Sequence, residues 1–105
     1  MNPDLVISAA VNDSVLTVRV EGELDIATES PLIERFIAEL EAHALDHVVL
    51  DVVGVTFIDS SGLRALLLCQ RASQERSRSL RLAPGTGAVK NLLKIAGVEG
   101  AFRYA

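Results

Sequence analysis

The chain has 105 residues, half of them apolar, with 10 bases against 14 acids for a net charge of −4. That is one domain's length, with enough apolar residues for a core that needs no disulfide or metal staple. An acidic balance, one tyrosine and no tryptophan argue against direct nucleic-acid binding, and the lack of any run of about 18 apolar residues argues against membrane insertion.

The chain opens MNPDLVISAA, with no basic segment and with Asp4, so no secretory leader is expected. Residues 5–11 are apolar and partly β-branched, and Asn12-Asp13 is turn-prone. Residues 14–20 alternate, with Leu16, Val18 and Val20 opposed to Val15, Thr17 and Arg19, as a half-buried strand does. The two runs predict an antiparallel hairpin. Gly22 is expected to end its second strand, with Glu23-Leu24-Asp25 entering a loop. Residues 28–44 carry helix signals. Thr28 or Ser30 can cap, Pro31 suits the first turn, and Leu32, Ile33, Phe36, Ile37 and Leu40 make one apolar stripe. His43 and His47 read as capping or surface residues, and neither a metal site nor a cofactor is expected.

Residues 47–53 (HVVLDVV) form a nearly continuous β-branched run, the mark of a strand covered on both faces. Gly54 is expected to break it, leaving Val55–Ile58 as a short extended piece. A helix follows over about 61–76, with Cys69 inside its leucine run. That lone cysteine reads as a buried small hydrophobe, which suits a reducing, cytoplasmic setting. Residues 80–83 predict a short strand ended by Pro84-Gly85, and residues 87–96 a helix with Gly97 at its C-cap. Residues 101–104 read as a last extended piece. The order β-β-α-β-α-β-α-β predicts an α/β fold: a mixed sheet with an N-terminal hairpin, central parallel strands and helices packed on the sheet. With no linker or repeat, residues 1–105 are expected to form a single domain.

The charge is uneven. Residues 1–59 hold 12 acids and 2 bases, residues 60–105 hold 2 acids and 8 bases, so balances of −10 and +6 make up the net −4. These charges either solvate different faces of one small fold or form two opposed surfaces able to steer a charged partner.

Functional loops of a parallel sheet collect beyond the C-terminal ends of its strands, where segment 54–62 lies. Asp59, Ser60 and Ser61 are all competent N-caps, yet a helix needs only one. Gly62 is a poor helix former for a first turn, and leaves room for close approach of another group. Residue types alone therefore allow either a plain helix start or a functional loop. Hydrolase chemistry fits poorly. There is no G-x-S-x-G around either serine, and the only histidines, His43 and His47, lie near the start of the preceding strand. Pro84-Gly85-Thr86-Gly87 before Lys90 does not make a phosphate-binding P-loop.

Taken together, Gly22-Glu23-Leu24-Asp25, Val48-Val49-Leu50-Asp51, Phe57-Ile58-Asp59-Ser60-Ser61-Gly62-Leu63, Val89-Lys90-Asn91-Leu92-Leu93 and Ala96-Gly97-Val98 resemble the STAS domain of bacterial anti-sigma factor antagonists. The resemblance covers essentially the whole chain. It implies a binding module, not an enzyme, whose partner is an anti-sigma factor that is also a serine kinase. Binding displaces a sigma factor, phosphorylation of the first serine of D-S-S-G ends it, and a serine phosphatase restores it. By position the phosphorylated residue is Ser60. Ser61 caps or supports the loop, Asp25 and Asp59 match the family's acids, and Ile58, Gly62 and Arg64 complete the expected partner-binding set.

Two departures stand out. Many members continue into another helix past the position of Ala105, and some carry glycine where this chain has Arg64. Arg64 lies one helical turn from Ser60, placed to pair with a phosphate or an acidic partner, or simply to stay solvated. The resemblance also admits a STAS domain without a switch, serving as a stressosome scaffold or a subunit of a lipid-transport ATPase complex. Oligomeric state is left open, with a monomer admissible.

Overall fold

The computed structural model describes residues 5–105, so Asp4 of the leader argument lies outside the described residues. Eight elements follow one another: β1 (Leu5–Asn12), β2 (Val15–Leu24), α1 (Glu29–Ala42), β3 (His47–Ile58), α2 (Ser60–Glu75), β4 (Ser79–Ala83), α3 (Ala88–Ala96) and a single 3-10 turn (Glu99–Ala101). The four strands form one sheet in chain order, β1-β2-β3-β4. The first pair is antiparallel and the next two are parallel. This is the mixed α/β architecture expected from the pattern of runs.

Register aligns the buried positions across the sheet. Leu16 lies beside Val48 and Val18 beside Leu50, while Val48 and Leu50 lie beside Leu80 and Leu82. All six are buried, together with Leu32, Phe36 and Leu40 of α1 and Ala65, Leu66 and Cys69 of α2. The two helices pack on each other and on the sheet. Burial of each large side chain contributes about 1.5–3 kcal/mol. The alternate positions Arg19 and Val53 are exposed, with Asp51 half-buried, so this face is not covered as the β-branched run of β3 suggested.

Several boundaries differ from the sequence expectation. The hairpin turns at Asp13-Ser14, one residue later than expected. Both have positive φ (52° and 65°), which matches a primed two-residue turn to the strand twist. Gly22 and Gly54 do not end strands. β2 runs through Gly22 (φ 115°) and β3 through Gly54, and the register slips between Arg19 and Glu21 and again between Gly22 and Glu23. The glycines thus mark bulges, which bend the strand ends without stopping pairing. The last extended piece shrinks to one parallel bridge between Leu82 and Tyr104, because a 3-10 turn occupies Glu99–Ala101.

Candidate functional site

Two loops meet at the C-terminal end of the sheet. Leu24 and Ile58 are the final paired residues of β2 and β3, and the Asp59 N–H donates to the Leu24 carbonyl at 3.3 Å. The β2–α1 loop and the start of α2 are thereby held side by side.

The β2–α1 loop is built on Asp25 and Thr28. Asp25 Oδ1 accepts from the N–H groups of Ala27 and Thr28 at 2.9 and 3.2 Å. Such a short side-chain turn is a common use of aspartate. The buried Thr28 hydroxyl donates to the Glu23 carbonyl at 2.7 Å and accepts from the Asp25 N–H at 3.0 Å. Thr28 precedes α1, yet its hydroxyl is spent on the loop and not on the helix. Asp25 is therefore a loop-former with one carboxylate oxygen free of donors among the described residues.

At α2 the cap is Asp59, not a serine. Its Oδ1 accepts from the Gly62 N–H at 3.1 Å, three residues on. Ser60 becomes the first helical residue and is exposed, while Ser61 is half-buried. Neither hydroxyl makes a hydrogen bond to the described residues, and their N–H groups remain open donors at the positive end of the helix.

Ile58 and Gly62 are buried. A Cβ on Gly62 would lie 2.6 Å from the Leu24 carbonyl oxygen and 2.7 Å from both Ile58 Cγ1 and Leu24 Cβ. The space that glycine leaves is used inward, to seat α2 on the strand ends, and not at the surface as its type suggested. Any part these two residues have in binding runs through the shape of the loop. Arg64 is paired, its Nη1 lying 3.3 Å from Glu29 Oε1, with its own side chain 70% exposed.

The structure thus brings Asp25, Asp59, Ser60, Ser61 and Arg64 to one end of the sheet. The sequence reading missed three neighbours. Glu29, first residue of α1, holds Arg64. Ile26 and Phe57 flank the acids and are 81% and 47% exposed. An apolar residue set between Asp25 and the helix was the available signal for Ile26; Phe57 carried none, since strand residues are usually covered. His43 and His47 lie at the α1 C-terminus and the β3 N-terminus, the opposite end of the strand from Ser60.

The STAS domain family model matches residues 6–104. Among solved structures the chain is similar to an anti-sigma factor antagonist from Mycobacterium paratuberculosis, at 26% identity and TM-score 0.71, over 98% of this chain and 88% of that one. It is also similar to the anti-sigma factor antagonist SpoIIAA in its unphosphorylated form, at 18% identity and TM-score 0.72, over 95% of this chain and 88% of that one. The phosphorylated form of the Bacillus cell fate determinant SpoIIAA aligns at 17% identity and TM-score 0.66, over 95% and 91% of the two chains. At such identities the SpoIIAA likenesses concern the fold. With a match spanning nearly every residue and a sheet of the same architecture, the chain belongs to the STAS domain family.

Proposed function

We propose that this protein is an anti-sigma factor antagonist. It binds an anti-sigma factor serine kinase, frees a sigma factor, and is switched off by phosphorylation at Ser60. The observation that carries the reading is the state of Ser60: exposed, with its hydroxyl unbonded among the described residues, and first in α2 beside the capping Asp59. A kinase needs such a hydroxyl. The structural likeness to an anti-sigma factor antagonist at 26% identity supports the partner class, and the existence of a phosphorylated form of SpoIIAA, a more distant likeness, agrees with the switch.

The switch is electrostatic and steric. A phosphoserine adds about −1.5 to −2 charges. Open N–H groups at the start of α2 favour that charge within the protein, so the fold survives. Asp59 precedes it and Asp25 lies on the adjoining β2–α1 loop, so the surface a partner must desolvate becomes more negative. A tenfold loss of affinity needs only about 1.4 kcal/mol.

The protein incubated with its co-purifying kinase and ATP should gain one phosphate, and Ser60→Ala should gain none. Normal labelling of Ser60→Ala would overturn the site. A pull-down yielding transport-ATPase subunits and no kinase would replace the switch with the scaffold reading.

A further inference from the structure

The opposite end of the sheet holds a second concave feature. Ser79 pairs with His47, the first residue of β3, and at this end a cleft of about 330 Å³ opens between the end of α2, the start of β4 and the chain near Arg103. Gln74, Ser77, Ser79, Arg78 and Arg103 line it, and no acid does.

Neither arginine is ion-paired among the described residues, a state shared with Arg81, whose Nη1 donates instead to the Tyr104 carbonyl at 3.4 Å. Arg19, Arg35, Arg64, Arg71 and Arg76 each meet a carboxylate. Arg78 and Arg103 meet none among the described residues. Arg78 Nη1 donates to the carbonyls of Leu40 and His43 at 3.1 and 2.9 Å, which fixes the side chain half-buried. Its remaining nitrogens, and the whole Arg103 guanidinium, make no hydrogen bond to the described residues. Gln70 Nε2 donates to the Ala101 carbonyl at 2.7 Å and so anchors the segment that carries Arg103.

The end of α2 would ordinarily repel an anion, but its last carbonyls are already covered. Arg76 Nη1 donates to Ala72 O at 3.0 Å, the Ser77 N–H to Gln74 O at 3.0 Å, and the Arg78 N–H to Ser73 O at 2.8 Å. Ser77, at φ 57°, makes the tight turn that permits this. What faces the cleft is two guanidiniums without a counter-charge, in a chain that is acidic overall. Guanidinium forks match the oxygens of phosphate, and a phosphate monoester can engage two of them at once. The volume sits at the lower end of the range for ligand pockets.

We infer that the Arg78–Arg103 cleft binds a small organic phosphate, at a site separate from the Ser60 loop and independent of its phosphorylation. The test is an amide NMR titration of the full chain with glycerol 3-phosphate, with inorganic phosphate and with chloride, at constant ionic strength. Glycerol 3-phosphate should shift the amides of Ser77, Arg78, Ser79 and Arg103 saturably and more tightly than inorganic phosphate. Arg103→Gln should weaken it about tenfold with the rest of the spectrum unchanged. Arg78→Gln is a poorer probe because it also frees the end of α1. Equal shifts with chloride, no saturation at those amides, equal affinity for inorganic phosphate, or unaltered binding in Arg103→Gln would each overturn the assignment.

Discussion

Gly62 and Asp59 show how much of the candidate loop is held by single atoms. The Leu24 carbonyl and the Ile58 side chain beside Gly62 are both core and cannot swing aside. Gly62→Ala is therefore expected to cost about 1–3 kcal/mol in urea unfolding, although alanine is the better helix former. A neutral Gly62→Ala would mean that α2 is not pinned to the strand ends. Asp59→Ala should lose about 0.5–2 kcal/mol as a lost cap, whereas Asp59→Asn should keep most of it. The asparagine variant thus separates the cap from the charge when partner binding is compared. Burial pushes the Cys69 thiol from 9.0 up to about 12. The folded state then holds this proton more tightly than the unfolded state, so the contribution of Cys69 to stability is whole below pH 9 and falls as pH rises from there towards 12. Iodoacetamide at pH 8 should label Cys69 only after unfolding. Rapid labelling of the folded protein would show that the α2 core opens. The burial of Cys69 was legible from its leucine-rich run. The inward use of Gly62 was not, because its neighbours Leu24 and Ile58 come from two different strands.

Elements meet at the site through α1 and α2, whose starting ends are tied by Arg64 and Glu29. With Arg64 so exposed, a double-mutant cycle should find this pair worth less than about 1 kcal/mol. Its weakness suits exchange: a phosphate on Ser60, one turn away, can compete with Glu29 for the same guanidinium. In protein carrying phosphoserine at position 60, Arg64→Gln should raise the second pKa of the phosphate, read by phosphorus NMR, because a neighbouring cation favours the dianion. No change would place Arg64 with Glu29 in both states. The strands tell a similar story of partial legibility. Alternation identified β2, and β-branched content identified β3. Gly22 and Gly54 suggested ends because glycine is rare inside strands, yet here parallel pairing carries the chain past each bulge. At Gly54 an added Cβ would meet mainly Glu21 Cγ at 2.7 Å, part of a flexible side chain. Gly54→Ala should therefore cost clearly less than Gly62→Ala in the same unfolding assay.

Across the whole molecule the uneven charge is only partly sorted in space, since Glu39, Glu41 and Asp46 lie at the Arg78 end and Arg64 at the Ser60 end. Glu23, Asp25, Glu29 and Asp59 lie around the end of the sheet that holds Ser60, while Arg78 and Arg103 occupy the other end. An acidic rim steers a basic partner over distances comparable with the Debye length, which is about 10 Å at 0.1 M salt and 3 Å at 1 M. If the proposed kinase is the partner, its association rate should fall steeply across that range, as read by stopped-flow. A flat salt dependence would remove steering and leave Ile26 and Phe57 as the main contacts.

The sequence by itself determined the element order, the mixed sheet and the core positions of β2 and α1, because hydrophobic periodicity acts within a few residues. Only the tertiary structure decided that Asp59 and not a serine caps α2, that Arg64 is engaged by Glu29, and that Gly62 serves the inside of the protein. It also decided that Arg78 and Arg103 share one cleft. Each of these depends on which strand ends and helix ends the sheet brings within a few ångströms, and pairing register, not local sequence, sets that.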